Sequence, residues 1–183
     1  MRVIAGELGG RRIKSVKGME TRPTADKVKG AVFNVLREKI NDARVLDLFA
    51  GTGNMAVEAI SRGAASAVLV EHHLPACRVI RENMKVMGIE QRVTVARMDV
   101  FLFLAQWKDQ RFDLIFLDPP YHQGLVNQTL ARMAPLAILS ERGVIVAETG
   151  CNEELQPTGQ FKICQTGRYG DTRIWYLQRW DLK

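Results

Sequence analysis

The sequence predicts an α/β domain built on a mostly parallel sheet. From Arg44 onward, short apolar and β-branched runs alternate with amphipathic segments, which is typical of parallel strands joined by helices. The 183 residues, 46% of them hydrophobic, suit one domain with its own core. We therefore expect a single domain, with an N-terminal appendage at residues 1–43 and a sheet core at residues 44–183.

The predicted strands follow the apolar runs. Five of them are VLDLFA (45–50), SAVLVE (66–71), RVTVAR (92–97), FDLIFLD (112–118) and GVIVAET (143–149). After Thr149 the runs KICQTG and TRIWYLQRW predict a closing antiparallel pair, joined by a turn around Tyr169, Gly170 and Asp171. A helix is expected from Pro75 to Met87, with an apolar stripe at Val79, Ile80, Met84 and Met87.

Ahead of the sheet, the sequence predicts a β-hairpin and a helix. The runs VIAG and RRIKSV flank a glycine-rich turn from Glu7 to Gly10. The helix is expected from about Ala25 to Ile40, with Pro23 and Asp26 suiting its start. Its predicted apolar stripe is Val28, Ala31, Val32, Val35, Leu36 and Ile40.

The net charge of +6 is concentrated at the N-terminus. Residues 1–44 hold 11 Lys or Arg and 5 Asp or Glu, whereas the rest of the chain holds 15 of each sign. Such a segment is typical of a surface that neutralises phosphates, and a solvated basic face without a partner explains it equally well. The basic residues that crowd there are Arg2, Arg11, Arg12, Lys14, Lys17, Arg22, Lys27 and Lys29.

Several protein classes are disfavoured by composition. The N-terminus lacks the apolar stretch of a signal peptide, and no run of about 18 apolar residues predicts a membrane helix. We expect a soluble, cytoplasmic monomer. The odd number of cysteines, without C-x-x-C spacing, argues against disulfides or zinc: Cys77, Cys151 and Cys164. The histidines are too few and too poorly spaced for a metal site, and no metal is expected: His72, His73 and His122.

The segment LDLFAGTG (46–53) predicts a ligand-binding loop after the first strand. Gly51 and Gly53 let the backbone pass close beneath a ligand. A dinucleotide-binding loop would have a third glycine where this chain has Ala56. Asp47 would repel a pyrophosphate but suits the cationic amino-acid end of S-adenosylmethionine.

Acidic residues also follow the next two strands. Glu71 ends the second strand, where a carboxylate can accept hydrogen bonds from both hydroxyls of a ribose. Asp99 can accept from an adenine amino group with the Val100 amide facing the ring, or it can cap a helix, and both roles are compatible. The predicted cofactor-binding residues are Asp47, Phe49, Gly51, Thr52, Gly53, Glu71, His72, Asp99, Val100 and Asp118.

The segment DLIFLDPPY (113–121) predicts the catalytic site. An apolar strand brings Asp118 to the same edge, and two prolines then prevent a helix from starting. The Asp118 carboxylate and the Pro119 carbonyl can accept both N–H bonds of a base's exocyclic amine, and Tyr121 can stack on the base. The predicted catalytic residues are Asp118, Pro119, Pro120 and Tyr121. A proline-rich turn after a core strand is the alternative interpretation.

These motifs together resemble the RsmD family, the 16S rRNA (guanine-N2)-methyltransferases. The likeness spans nearly the whole chain: RVIAGELGGRRI, RPTADKVKGAVFNVL, LDLFAGTG, VLVE, LDPPY and YGDTRIWYL. It implies a seven-stranded, Rossmann-like class I S-adenosylmethionine-dependent methyltransferase that needs no metal. The implied substrate is a guanine N2 in 16S rRNA of the small ribosomal subunit. The implied RNA-binding residues are Arg2, Arg11, Arg12, Lys14, Arg22, Thr24 and Lys27.

One departure and three alternatives accompany the resemblance. Asn54 and Met55 follow the glycines where smaller apolar residues are expected. The DPPY motif can position an exocyclic amine but does not determine which base carries it. An N6-adenine or N4-cytosine methyltransferase acting on DNA or RNA is therefore an alternative interpretation. A non-catalytic RNA-binding assembly factor is opposed by the intact Asp118–Tyr121 segment. An NAD-dependent oxidoreductase is disfavoured by Asp47 and Ala56.

Overall fold

The structure is a computed structural model that describes residues 1–16, 23–108, 110–156 and 159–180; of residues 23–25 it describes the backbone alone. The strands are β1 Arg44–Asp47, β2 Ser66–Val70, β3 Val93–Ala96, β4 Phe112–Leu117, β5 Leu139–Gly150, β6 Phe161–Tyr169 and β7 Thr172–Arg179. The helices are α1 Pro23–Leu36, α2 Asn54–Ser61, α3 Leu74–Met87, α4 Val100–Gln106 and α5 Leu125–Met133. Within these ranges no helix has the length and apolarity to cross a membrane.

All seven strands form one sheet in the order β3-β2-β1-β4-β5-β7-β6. The first five are parallel, and β7 runs antiparallel between β5 and β6. The predicted α/β class, with its mostly parallel sheet and closing antiparallel pair, is therefore confirmed. Because β1 ends at Asp47, the residues from Leu48 onward are free to form the loop that leads into α2.

Helices cover both faces of the sheet. Apolar residues of α1, α2 and α3, including Val32, Val57 and Ile80, form one core with the N-terminal segment. On the other face, Phe103 of α4 and Leu130 of α5 pack on the opposite side chains of the strands. Burial on both faces explains why the parallel strands are apolar almost throughout.

Helix α1 buries a different stripe from the predicted one. Val28, Val32 and Leu36 are buried as expected, but Val35 is 42% exposed. Lys29 and Phe33 are buried instead, at 2% and 0% exposure. The prediction failed because it placed every charged residue at the surface, whereas Lys29 meets a buried carboxylate of α2, described below. After Leu36 the chain continues as a short 3-10 turn, Arg37–Lys39.

The predicted N-terminal hairpin is reduced to a single antiparallel bridge, between Arg2 and Arg12. Three backbone hydrogen bonds surround it, including the Val3 amide to the Arg11 carbonyl at 2.9 Å. The neighbouring amides bond to helix α2 instead. Ile4 and Ala5 donate to the Glu58 carboxylate at 2.7 and 3.1 Å, which leaves no amides for a longer ladder.

Glu58 joins the N-terminal segment to the sheet core. Its side chain is fully buried and contacts the Lys29 ammonium at 3.3 Å and the Arg62 guanidinium at 2.7 Å. Lys29 also donates to the Arg2 carbonyl at 2.6 Å. Burial lowers the pKa of the Lys29 ammonium, and the nearby Glu58 carboxylate opposes that change. A buried charge is tolerated only when such partners surround it.

We predict that Glu58→Ala lowers the free energy of unfolding by roughly 3–5 kcal/mol, because it leaves Lys29 buried without its counter-charge. Urea unfolding followed by circular dichroism measures the change. Glu82→Ala is the matched control, since it removes the exposed ion pair with Lys14 and costs less than about 1 kcal/mol. Equal losses in the two variants would contradict a structural role for the buried network.

Candidate functional site

A cavity of about 530 Å³ lies at the carboxyl ends of β1, β2, β4 and β5. Parallel sheets place ligand sites at this edge. Eleven of the predicted site residues line it: Asp47, Phe49, Gly51, Thr52, Glu71, His72, Val100, Asp118, Pro119, Pro120 and Tyr121. A second cavity, of about 690 Å³, opens between the end of α1 and the starts of β4 and β5, and it contains none of them.

Two glycines shape the loop after β1 for different reasons. Gly51 and Gly53 both have positive φ, +54° and +77°, a backbone conformation that favours glycine. A Cβ on Gly53 would lie 3.0 Å from Leu69 and 3.1 Å from Met84, so close packing also requires glycine there. A Cβ on Gly51 would meet no described atom within 4 Å. Gly53 lies directly before α2, as its N-cap, and does not line the cavity.

Glu71 holds the glycine loop against the second strand. One carboxylate oxygen accepts from the Gly51 amide at 2.9 Å, and the other accepts from the His73 amide at 2.8 Å. Each oxygen keeps a second lone pair for a ligand. The structure thus gives Glu71 a local role that the sequence did not predict, and it leaves the predicted ribose contact as an expectation.

Asp47 is a buried carboxyl group at the floor of the cavity. Burial raises its pKa to about 7, and the nearby Glu71 charge adds to this, while the Phe49 and Ala56 amides oppose it by hydrogen bonding. Sequence reasoning identified the residue but not this environment. A group with such a pKa changes charge near neutral pH and responds strongly to a cation placed beside it.

Asp118 follows β4 directly and is open to the cavity. The surrounding protein removes much of its hydration and raises its pKa well above the usual range, and the Glu148 and Asp47 charges raise it further. The next residue, Pro119, is buried, whereas Pro120 is exposed. At this edge of the sheet the charges of Glu148 and Asp47 therefore make Asp118 harder to ionise, as Glu71 does for Asp47.

The Tyr121 hydroxyl is held by two residues that sequence reasoning missed. It donates a short hydrogen bond to Glu148 on β5 and lies 3.0 Å from the hydroxyl of Thr172 on β7. Burial and the Glu148 contact raise the pKa of Tyr121, so it stays a neutral donor. The available signal was a lone glutamate in the apolar run GVIVAET, but its partner is 27 residues away in the chain.

Asp99 is a helix cap in this structure. Its carboxylate accepts from the Phe101 and Leu102 amides at 2.8 and 3.2 Å, at the start of α4. It does not line the cavity, whereas Val100 does. One of its two predicted roles is therefore observed, and the adenine contact stays a prediction.

The predicted RNA-binding residues divide into three groups. Five have exposed side chains: Arg2, Arg11, Arg12, Lys14 and Lys27. Arg22 and Lys17 lie outside the described residues, as does the side chain of Thr24. Lys29, counted with the basic surface from sequence, is buried and so cannot contribute to that surface.

The unusual Asn54 also has a partner. Its side-chain oxygen accepts from the Lys29 ammonium at 2.7 Å, and both residues line the cavity. Asn54, which stands where a smaller apolar residue was expected, therefore makes a polar contact between the start of α2 and α1. Among the described residues, no group of three or more His, Cys, Asp or Glu side chains has the geometry of a metal site.

We predict that Asp47→Asn makes the ligand-free protein more stable above pH 7 and leaves it nearly unchanged near pH 4. An Asp with a raised folded-state pKa opposes folding once it ionises, so the cost appears as pH rises from about 4 to about 7. The gain at pH 8 is on the order of 2 kcal/mol or more. Urea unfolding of both proteins across this range measures it, and parallel stability profiles would contradict the prediction.

The chain has close relatives of known sequence and structure. YlbH of Bacillus subtilis, a proposed rRNA methyltransferase, is 37% identical over 95% of this chain and 96% of its own length. Ribosomal RNA small subunit methyltransferase D of Escherichia coli is 32% identical over 81% of this chain and 74% of its own length. Among solved structures, yhhF of Escherichia coli, described as a proposed methyltransferase, has a TM-score of 0.86 at 28% identity and covers 98% of this chain and 97% of its own.

A family model described as "Conserved hypothetical protein 95" matches residues 1–178. That match spans the N-terminal segment and the sheet together. The resemblance stated from the sequence motifs is thereby confirmed, and the chain belongs to this family, the RsmD family of methyltransferases.

Proposed function

We propose that this chain transfers a methyl group from S-adenosylmethionine to the exocyclic N2 of a guanine in 16S rRNA of the small ribosomal subunit. The observation that carries the proposal is that Asp118–Tyr121 lines the same cavity as the glycine loop, Asp47 and Glu71. One cavity thus joins groups suited to a cationic nucleoside cofactor to groups suited to an amine. The small-subunit rRNA methyltransferases among the relatives support the ribosomal substrate.

The cavity suits S-adenosylmethionine in size and in its polar groups. A volume of about 530 Å³ lies within the range of small-molecule sites. Open space beside Gly51 leaves room for a ligand against the backbone. Asp47 and Glu71 place carboxylates where a cation and ribose hydroxyls need acceptors. When bound, the cofactor supplies an electrophilic methyl group on a positively charged sulfur.

The protein's part in methyl transfer is to orient the amine and accept its proton. The Asp118 carboxylate and the Pro119 carbonyl accept its two N–H bonds and keep the nitrogen lone pair available. The methyl group of the bound cofactor would pass to this nitrogen, and the electron pair of the broken sulfur–carbon bond would stay on sulfur. The new N-methyl group needs one proton removed, and Asp118 is the acceptor. Its raised pKa makes it a stronger base than an ordinary carboxylate.

The N-terminal segment provides the RNA surface in this proposal. Residues 1–43 form the appendage and residues 44–183 the catalytic core. Arg11, Arg12 and Lys14 are exposed, and two of them contact helix α3: Arg11 bonds the Met87 carbonyl and Lys14 bonds Glu82. Exposed cations of this kind can neutralise the phosphates of an RNA backbone.

The direct test is methyl transfer to small ribosomal subunits from cells that lack this modification. We predict incorporation of labelled methyl and a reverse-transcription stop at one guanine. Naked 16S rRNA is assayed in parallel, to compare it with the assembled subunit as substrate. Transfer to an adenine or cytosine would contradict the guanine assignment. Absence of transfer to every RNA substrate, by protein that binds the cofactor, would favour a binding factor instead.

We predict that Asp118→Ala abolishes methyl transfer while the affinity for S-adenosylhomocysteine is largely retained, because Asp118 acts on the amine and this ligand carries no charge on sulfur. Glu71→Ala mainly weakens cofactor binding, since it removes the ribose acceptor and loosens the Gly51 loop. Calorimetry with S-adenosylhomocysteine and single-turnover transfer measure the two effects. Equal loss of cofactor affinity in both variants would show that the roles are assigned wrongly.

We predict that alanine at Arg11, Arg12 and Lys14 weakens RNA binding and reduces the slope of log affinity against log salt by about 0.7–0.9 for each phosphate that is no longer neutralised. The matched control is Lys108→Ala, an exposed cation that follows α4 on the opposite face of the sheet. Fluorescence anisotropy across a salt series measures the slopes. If the triple variant keeps the original slope, the segment is a solvated face and does not bind RNA.

A further inference from the structure

We propose that Glu148 is the residue that selects guanine, by accepting a hydrogen bond from the N1–H of the target base. This inference rests on the proposed function and assigns a specificity role within the same cavity. It concerns a residue that neither the glycine loop nor the DPPY segment contains. The supporting observations are its position beside Asp118, its free carboxylate oxygen and the different edges of the three candidate bases.

Strand register places Glu148 beside Asp118. In the parallel pair β4–β5, Phe116 lies opposite Val146 and Leu117 opposite Ala147, so the next positions on the two strands are Asp118 and Glu148. Phe116 and Val146 both line the cavity. Because side chains two residues apart point to the same face of a strand, Glu148 projects on the cavity side, and it lines the cavity too.

The two oxygens of Glu148 have different surroundings. One accepts the hydrogen bond of the Tyr121 hydroxyl, which orients the carboxylate. The other is bonded by no described residue, and it is not among the fully buried polar atoms that lack a partner. It therefore stays accessible from the cavity, as an acceptor held in place by its neighbour.

The edge of guanine differs from those of adenine and cytosine next to the reactive amine. In guanine the adjacent ring nitrogen, N1, carries a hydrogen and donates. In adenine and cytosine the corresponding nitrogen carries a lone pair and accepts. A carboxylate beside the amine site therefore attracts guanine and repels the other two bases. With Asp118 and Pro119 taking the amine, Glu148 is placed to take the third donor of the same edge.

The charges at the site agree with this assignment. Burial raises the pKa of Glu148, and the Glu148 and Asp118 carboxylates oppose each other's ionisation. Guanine presents three N–H donors, from N1 and the N2 amine, and these relieve the repulsion between the two carboxylates. Adenine and cytosine instead place the lone pair of a ring nitrogen beside the carboxylates, which increases the repulsion. Selection thus results from attraction to one edge and rejection of the others.

The test compares guanine with 2-aminopurine, which keeps the C2 amine but has an unprotonated N1. Small subunits are reconstituted with 16S rRNA that carries either base at the methylated position. We expect Glu148→Gln to reduce the guanine preference in kcat/KM on the order of tenfold or more, because the amide can donate to N1. The glutamine oxygen still accepts from Tyr121, so the fold and the tyrosine position are retained. Differences in intrinsic amine reactivity cancel when the two enzymes are compared.

Thr172→Val is the matched control, since it removes the other contact of the Tyr121 hydroxyl without changing a carboxylate. It is expected to slow both substrates alike and leave their ratio unchanged. Equal loss on both bases in Glu148→Gln would overturn the assignment and leave Glu148 as a support for Tyr121. If the unaltered protein methylates neither base, the proposed function fails. The ratio of binding affinities for the two RNAs, measured by filter binding, then decides the role of Glu148 independently.

Discussion

Four carboxyl groups line the cavity at the carboxyl edge of the sheet, on β1, after β2, after β4 and on β5: Asp47, Glu71, Asp118 and Glu148. Burial raises the pKa of Asp47, Asp118 and Glu148, and neighbouring carboxylates raise the pKa of Asp47 and Asp118 further. Parallel strands place their ends at one edge, so the fold brings these distant residues together. Without a ligand the arrangement costs stability, and a cation beside a donor-rich base edge is the kind of ligand that offsets this cost.

Glu58, a buried carboxylate outside the cavity, attaches the N-terminal segment to α2. The contacts of Lys29 with Glu58, Asn54 and the Arg2 carbonyl place α1 along the cavity, and Val28 and Val32 of that helix line it. In the proposed function this attachment holds the RNA surface beside the cavity, because Lys29 and Asn54 of the same network line it.

The sequence predicted features that local patterns determine and missed those that depend on long-range pairing. Asp47 and Asp118 were found because each interrupts an apolar strand at a turn that glycine or proline marks. Glu148 and Thr172 were missed because their hydrogen bonds with Tyr121 depend on the register of the sheet. Lys29 was placed on the surface because its partner lies 29 residues away, within α2. The hairpin was overpredicted because its amides bond to Glu58 and Ser61 of that helix.

Proton release on cofactor binding tests whether the clustered carboxyl groups are arranged to receive a cation. Calorimetry near pH 7, in buffers of different ionisation enthalpy, gives the number of protons released. S-adenosylmethionine carries a methyl group and a positive charge on sulfur that S-adenosylhomocysteine lacks. We predict that the cationic cofactor releases more protons, because its charge lowers the raised pKa values of Asp47 and Asp118. Equal release by the two ligands would contradict it.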